Sequence, residues 1–202
     1  MDGLLFYWFF WLGWIVTTFF YPKTHPERLI VSAWILVVIL LSTTTLNVVV
    51  FEMSAAGLFI ILTMYLYAAT LQIKKLLYFF LSSFILMLTT VCFLLFELFD
   101  PIWVWIEREW LLAILVTIIV VLLQSDKKQR ILIMLLGMIQ GELFYSLILM
   151  KYSFSNPVAT LYSLDAVAGA SAFLVAWNGF EWMARYFEKY LYSIEKEKQK
   201  LT

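Results

Sequence analysis

Histidine and cysteine are almost missing from this 202-residue chain, which has one of each, His25 and Cys92. A single imidazole excludes HExxH zinc chemistry, multi-histidine metal sites and Ser-His or Cys-His nucleophilic dyads within a membrane. His25, flanked by Pro22 and Pro26, reads as a solvated loop residue. One thiol inside an apolar run can form no intrachain disulfide and says nothing of redox compartment. Charge is scarce as well: 14% of residues are charged, against about 25% in soluble domains, and 14 basic residues balance 14 acidic ones. Without a basic excess, a nucleic-acid-binding domain is excluded. There is no Walker A loop and no GxGxxG. Gly169-Ala170-Ser171-Ala172 superficially suggests an intramembrane serine nucleophile, but no His or Lys lies in a span to activate it. The last span also has no Lys for a retinal Schiff base. The expectation is a chain without enzymatic activity, cofactor or metal.

What the chain has in abundance is apolar surface. Residues of the AVILMFWYC set make up 64%, with a mean hydropathy of +0.91. Soluble domains hold roughly 45–50% on a closely similar set. That rules out a water-soluble globule and a disordered chain. At about 20 residues per membrane helix, seven spans use about 140 residues, so no room remains for a folded soluble domain. The N-terminal run is not read as a cleaved signal peptide. Its leader, Met1-Asp2-Gly3, has no Lys or Arg, it ends in Phe19-Phe20-Tyr21-Pro22, and residues 6–21 carry ten aromatics.

Apolar runs between charges predict spans near residues 3–21, 29–49, 55–73, 76–96, 110–124, 131–150 and 158–180. In hydrocarbon the backbone must satisfy itself, so runs of this length are helices. Glu52 is the one charge in 29–73 and marks a turn. The fifth span, 15 apolar residues from Trp110, is short unless Trp103, Trp105 and Glu107 dip into the interface. If the loops alternate sides, Arg108 and Lys151 fall on one side and the other 12 basic residues on the opposite side. The positive-inside rule then sets the N-terminus outside and the C-terminus in the cytoplasm. The predicted fold is an all-α seven-helix membrane domain over 1–181, followed by a basic amphipathic tail over 182–202. In the tail Met183, Tyr186, Phe187, Tyr190, Leu191 and Ile194 repeat at three and four, which suits a helix on the cytoplasmic leaflet or one that binds a protein partner.

Ionisable groups inside spans cost at least about 2.5 kcal/mol at the centre. Glu142 and Asp165 sit well inside. Glu142 is eight residues from Met150, about 12 Å, and Asp165 is seven from Val158, about 10–11 Å. On adjacent antiparallel helices the two carboxyls fall at nearly one level. Gly137 and Gly141 form a GxxxG motif, and span seven answers with small residues including Ala166, Gly169 and Ala170. Depth-matched small faces predict contact between spans six and seven. Two close carboxyls should not both ionise, so Glu142 and Asp165, supported by Gln140 and Tyr145, form a candidate proton- or cation-binding site. The alternative is that both stay neutral and serve as interhelical hydrogen bonds. Ser42 to Asn47, Thr89 and Thr90 read as hydroxyls bonding their own helix carbonyls. Asn178 and Glu181 lie where water reaches. Glu97, Asp100, Glu107 and Glu109 around Arg108, bracketed by tryptophans, read as an interfacial belt with solvated acids rather than a cation site.

The opening Gly3-Leu4-Leu5-Phe6-Tyr7-Trp8-Phe9-Phe10-Trp11, followed by Pro22-Lys23-Thr24 in a chain of this length and plan, resembles the YphA-type membrane proteins of spore-forming Gram-positive bacteria. The resemblance implies a protein of the bacterial cytoplasmic membrane and transfers no activity or site residue. Seven-span sugar transporters of the SWEET type carry a Pro-Gln signature that is absent here. Three functions stay open: a small carrier using the acid pair, an accessory or scaffold protein using the first span and the tail as contact surfaces, and a sensor signalling from the outer loop through the tail. The bilayer is the one partner implied throughout, and no nucleic acid is expected.

Overall fold

The computed structural model describes residues 2–23, 26–48, 51–100 and 107–201. His25, Trp103 and Trp105 lie outside them, as do the side chains of residue 191 and residues 193–201. Among the described residues the chain forms seven α-helices and one β-hairpin: α1 (Leu4–Ile15), α2 (Glu27–Leu41), β1 (Thr45–Val48), β2 (Phe51–Ser54), α3 (Ala55–Ala69), α4 (Ile73–Phe99), α5 (Arg108–Leu123), α6 (Lys127–Met150) and α7 (Leu161–Leu201). Successive helices run in opposite directions. Gly3, the hairpin, the start of α5 and the 151–160 segment gather at one end of the bundle, called here the hairpin end. The starts of α2 and α6 meet at the other, the basic end, where Lys128 pairs with Glu27 at 2.6 Å.

The elements start and stop for local reasons. α1 continues into one π-helical turn, Val16–Phe20. Arg28 donates two hydrogen bonds to the Thr18 carbonyl there, covering a backbone group that the widened turn frees. Ser54 caps α3 by accepting from the Ala56 N–H at 3.1 Å, and Asp126 caps α6 through the Lys128 N–H at 2.9 Å. α2 stops at Leu41 because Ser42 and Thr44 turn their hydroxyls back onto the Ile39 and Leu41 carbonyls. The β-branched and aromatic stretch that follows then pairs as an antiparallel hairpin, Thr45 opposite Ser54 and Val48 opposite Phe51.

This corrects the expected second span, since 45–48 is strand and not helix. Among the described residues two helices, α4 and α6, are long and apolar enough to cross a membrane, whereas α1 with its π turn (Leu4–Phe20) and α3 are apolar but shorter. The tail is helical and continuous with the last helix, as its three-and-four spacing suggested. α7 runs unbroken for 41 residues, about 60 Å at 1.5 Å per residue.

α6 is the central helix, with every residue from Ile133 to Ile139 buried. It packs chiefly on α4 and α3, while α7 packs chiefly on α5 and α1, and the contact between α6 and α7 is smaller than these. Leu86 meets α6 at Gly137, while Ile139 faces Gly57 of α3, and Phe79, Leu86, Ile133, Leu136 and Ile139 are all fully buried. The GxxxG face explains the tightness of the α4–α6 seam. A Cβ on Gly137 would lie 2.6 Å from Leu86 Cβ, and one on Gly141 would lie 2.5 Å from Thr90 Cβ. The motif therefore serves α4, not α7 as the sequence suggested. On the α7 side, Gly169 faces Ala113 of α5, and the buried Ala166 and Ala170 lie on the same helix.

Candidate functional site

The hairpin end holds the polar groups that an apolar bundle must account for. Residues 151–160 do not leave the bundle as an ordinary surface loop. They fold back so that Val158 and Ala159 are completely buried. Backbone buried in non-helical form needs partners from elsewhere, and each is present. The Val158 N–H donates to the Glu52 carbonyl at 2.8 Å, and the Ser54 N–H donates to the Val158 carbonyl at 3.0 Å, so Val158 pairs with the hairpin. Ser146 Oγ donates to the Asn156 carbonyl at 2.6 Å. Ala159, held at a positive φ of 53°, is left with an N–H that donates to Glu142 Oε2 at 2.9 Å. Glu142 also hydrogen-bonds the Ser163 side chain, which in turn contacts the Thr160 hydroxyl at 3.1 Å. The buried glutamate is thus the acceptor for a folded-in loop and the first turn of α7.

Asp165 answers a different demand. The first N–H groups of any helix lack intrahelical partners, and those of α1 start at a buried glycine. Gly3 N–H donates to Asp165 Oδ2 and Phe6 N–H to Asp165 Oδ1, each at 2.7 Å. Gly3 adopts φ 88°, which only glycine takes without strain, and the turn it makes aims both donors at α7. A carboxylate there also meets the positive end of the α1 dipole, worth up to about 2 kcal/mol in partly buried sites. Asp165 lies four residues into α7, which begins at Leu161, so it is shallower than its spacing from Val158 implied.

The four candidate ligands consequently disperse. Gln140 turns to the opposite side of α6, where its amide donates to the Tyr65 hydroxyl and accepts from Ser83 Oγ at 3.3 Å. Tyr145 is buried and faces Arg108 and Glu97. Glu142 serves Ala159 and Ser163, and Asp165 serves α1. Glu142 and Tyr145 both lie within electrostatic reach of Arg108, while Gln140 and Asp165 are engaged elsewhere. Among the described residues no group of three His, Cys, Asp or Glu could hold a metal ion.

Two groups that the sequence suggested are solvated are engaged in the structure. At the mouth of the hairpin end, Arg108 at the start of α5 pairs with Glu97 near the end of α4 at 3.1 Å and lies 5.3 Å from the Tyr162 ring centroid. At the basic end, Arg130 is buried, its side chain 6% exposed. It donates to the Gln124 carbonyl at 2.5 Å, to Asn178 Oδ1 at 3.0 Å and to Glu181 Oε1 at 2.7 Å. Lys127 Nζ adds a bond to the Asn178 carbonyl at 2.7 Å. Burial alone pushes the Glu181 carboxyl up. Hydrogen bonds from Arg130, Trp177 and Arg185 outweigh it and hold the group below the usual carboxylate range. Asn178 and Glu181, three apart, form one face that grips the α5–α6 turn, and that spacing was the available signal.

Beyond this latch α7 leaves the bundle. Trp182, Met183, Tyr186, Phe187 and Tyr190 are exposed beyond the latch, as are Val175, Trp177 and Phe180 at the latch itself. A Cβ on Gly179 would meet nothing within 4 Å.

The family model for YphA-like integral membrane proteins matches residues 2–200. The chain is also 29% identical over 185 residues, 91% of each chain, to a Bacillus subtilis (strain 168) protein titled "Uncharacterized protein YphA". No solved structure matches. The chain belongs to the YphA-like integral membrane protein family.

Proposed function

From that membership as premise, we propose that the chain is a non-enzymatic, multi-pass accessory or scaffold protein of the bacterial cytoplasmic membrane, and that it presents the second half of α7 to a protein partner in the cytoplasm. The observation that carries this reading is the single continuous α7. Its first half is fixed to α1 through Asp165 and to the α5–α6 turn through Arg130 and Glu181. Its second half, about 20 residues or about 30 Å long, carries exposed aromatics away from the bundle. A helix latched at its root, with Trp182, Met183, Tyr186 and Phe187 exposed beyond the latch, suits presentation to a partner helix.

Seven spans with the N-terminus outside suit the alternating helices and the basic residues gathered at one end. At 15 or 16 residues α2, α3 and α5 reach about 23–24 Å, so the bilayer thins locally around them or flanking residues bridge the gap. The carrier reading needs Glu142, Asp165, Gln140 and Tyr145 to converge on one ligand, and their separate engagements favour the scaffold.

A photo-crosslinking residue placed at Phe187 in living cells tests the proposal. A discrete protein adduct is expected at Phe187 and not at the exposed Trp8 of α1, and Glu142→Gln should leave it intact. Adducts to lipid alone at positions 183–190 would overturn the scaffold. So would proton or cation flux in proteoliposomes that Glu142→Gln abolishes.

A further inference from the structure

α4 and α5 separate along the half of their length nearest the hairpin end, leaving a cavity of about 680 Å³ between them. Leu88, Cys92 and Phe96 of α4 and Leu111, Ile114 and Ile118 of α5 line it, and Leu88, Phe96, Ile114 and Ile118 are exposed along its rim. The volume falls within the range of about 300–1,000 Å³ typical of small-ligand sites. From Leu88 to Phe96, and from Ile118 to Leu111, the groove is about 10–12 Å long at 1.5 Å per residue. That approaches one leaflet's share, about 15 Å, of a hydrocarbon core roughly 30 Å thick.

The two helices are joined again where the groove ends. Glu97 follows Phe96, Arg108 precedes Leu111 by one turn, and the 3.1 Å ion pair between them closes the top of the cleft. The surroundings of this pair are mostly acidic, since Glu107 and Glu109 flank Arg108 and Asp100 ends α4. An apolar slot of leaflet depth below one guanidinium and several carboxylates calls for a ligand with an apolar chain, a phosphate and an ammonium.

The geometry points to a lipid site: the α4–α5 groove holds one acyl chain of an amine-bearing zwitterionic phospholipid, with its phosphate at Arg108 and its ammonium among Glu97 and the neighbouring acids. An anionic phospholipid without the ammonium would set its phosphate against those acids with nothing to offset them. A protein helix, about 10–12 Å across with its side chains, is too wide for a slot between two helices that still touch. The site depends on the chain lying in a bilayer and is independent of the scaffold reading.

Native mass spectrometry of the full chain, delipidated in detergent and titrated with phosphatidylethanolamine or phosphatidylglycerol of identical acyl chains, tests the site. One phosphatidylethanolamine per chain should saturate first, with about a two- to fivefold preference, the size of one exposed ion pair. Glu97→Gln keeps an oxygen for Arg108 while removing a charge, so it should erase or invert the preference. Ile118→Trp, at an exposed rim position, should reduce first-lipid binding of both species at least several-fold with melting temperature preserved. Equal binding of both lipids by the wild type overturns the headgroup assignment, and that measurement depends on no variant. Unchanged first-lipid binding by a folded Ile118→Trp overturns the groove.

Discussion

Asp165→Asn separates a structural staple from a coupling site. The carboxylate accepts from two α1 N–H groups, one on each oxygen, both at 2.7 Å. An amide keeps one oxygen and turns an NH2 group toward the other donor. One charge-assisted bond is lost and a buried N–H is left unmet, which costs about 1.5–3 kcal/mol. Loss of the charge at the α1 N-terminus adds about 0.3–1 kcal/mol. The sum is about 2–4 kcal/mol, and at about 2–4 °C per kcal/mol for a chain of this size the melting temperature in detergent should fall on the order of 10 °C. Hydrogen exchange should speed up over residues 3–10 first, because those donors are the ones released. Asp165→Ala, which leaves both donors unmet, should be worse than Asp165→Asn. A shift under about 1 °C in Asp165→Asn, with exchange in α1 unchanged, would refute the reasoning and return Asp165 to the pool of candidate ligands.

Glu142→Gln should behave differently although the residue is as deeply buried. The amide oxygen still accepts from Ala159 N–H, and the Ser163 hydroxyl can rotate to suit either group. The expected loss is under about 1 kcal/mol in a thermal melt, against about 1–3 kcal/mol for Glu142→Ala, which orphans the Ala159 donor. Gly141→Ala should cost about 1–3 kcal/mol by overpacking, because the new Cβ meets Thr90 Cβ at 2.5 Å and the Met87 carbonyl at 3.1 Å. A cysteine pair across α4 and α6 would report the widened spacing as slower crosslinking. Glu181 is held below the ordinary carboxylate value of 4.5. Its folded form therefore binds fewer protons than the unfolded chain, and the stability it contributes is present above about pH 4.5 and lost as pH falls through its depressed value. Melting curves from pH 6 to pH 3 should show a steeper acid loss in the wild type than in Glu181→Gln, and parallel curves would refute the latch.

Much of the organisation was legible because it follows from properties that add along the chain. The sixth helix was expected over 131–150 and runs over 127–150, since its charged cap residues precede a long apolar run. The burial of Glu142 and Asp165 was also legible, as isolated acids within apolar sequence. Their partners were not. Asp165 serves a glycine 162 residues away, and the nearest sequence hint was the Asp2-Gly3 turn signal before an apolar run. Ala159 needs Glu142 because the 151–160 segment folds inward, and nothing in its composition marks it as buried backbone. The α2 boundary failed for a related reason. Val48, Val49, Val50 and Phe51 are as apolar as a span, and the strand pair with its bridge from Met53 to Val158 is seen only in the fold.

The sequence alone determined that the chain belongs in a bilayer and that it is mostly helical, because hydropathy is summed residue by residue. Which helix faces which was decided only in the tertiary structure. Gly137 and Gly141 announce a close approach without naming the helix that makes it. The rotation of α6 turns that face to α4 and sends the small face of α7 toward α5 and α1. The roles of the buried acids were settled at the same level. A carboxyl in an apolar interior bonds whichever unpaired backbone donor the fold brings within 3 Å, and that is fixed only once the loops and helix ends are in place.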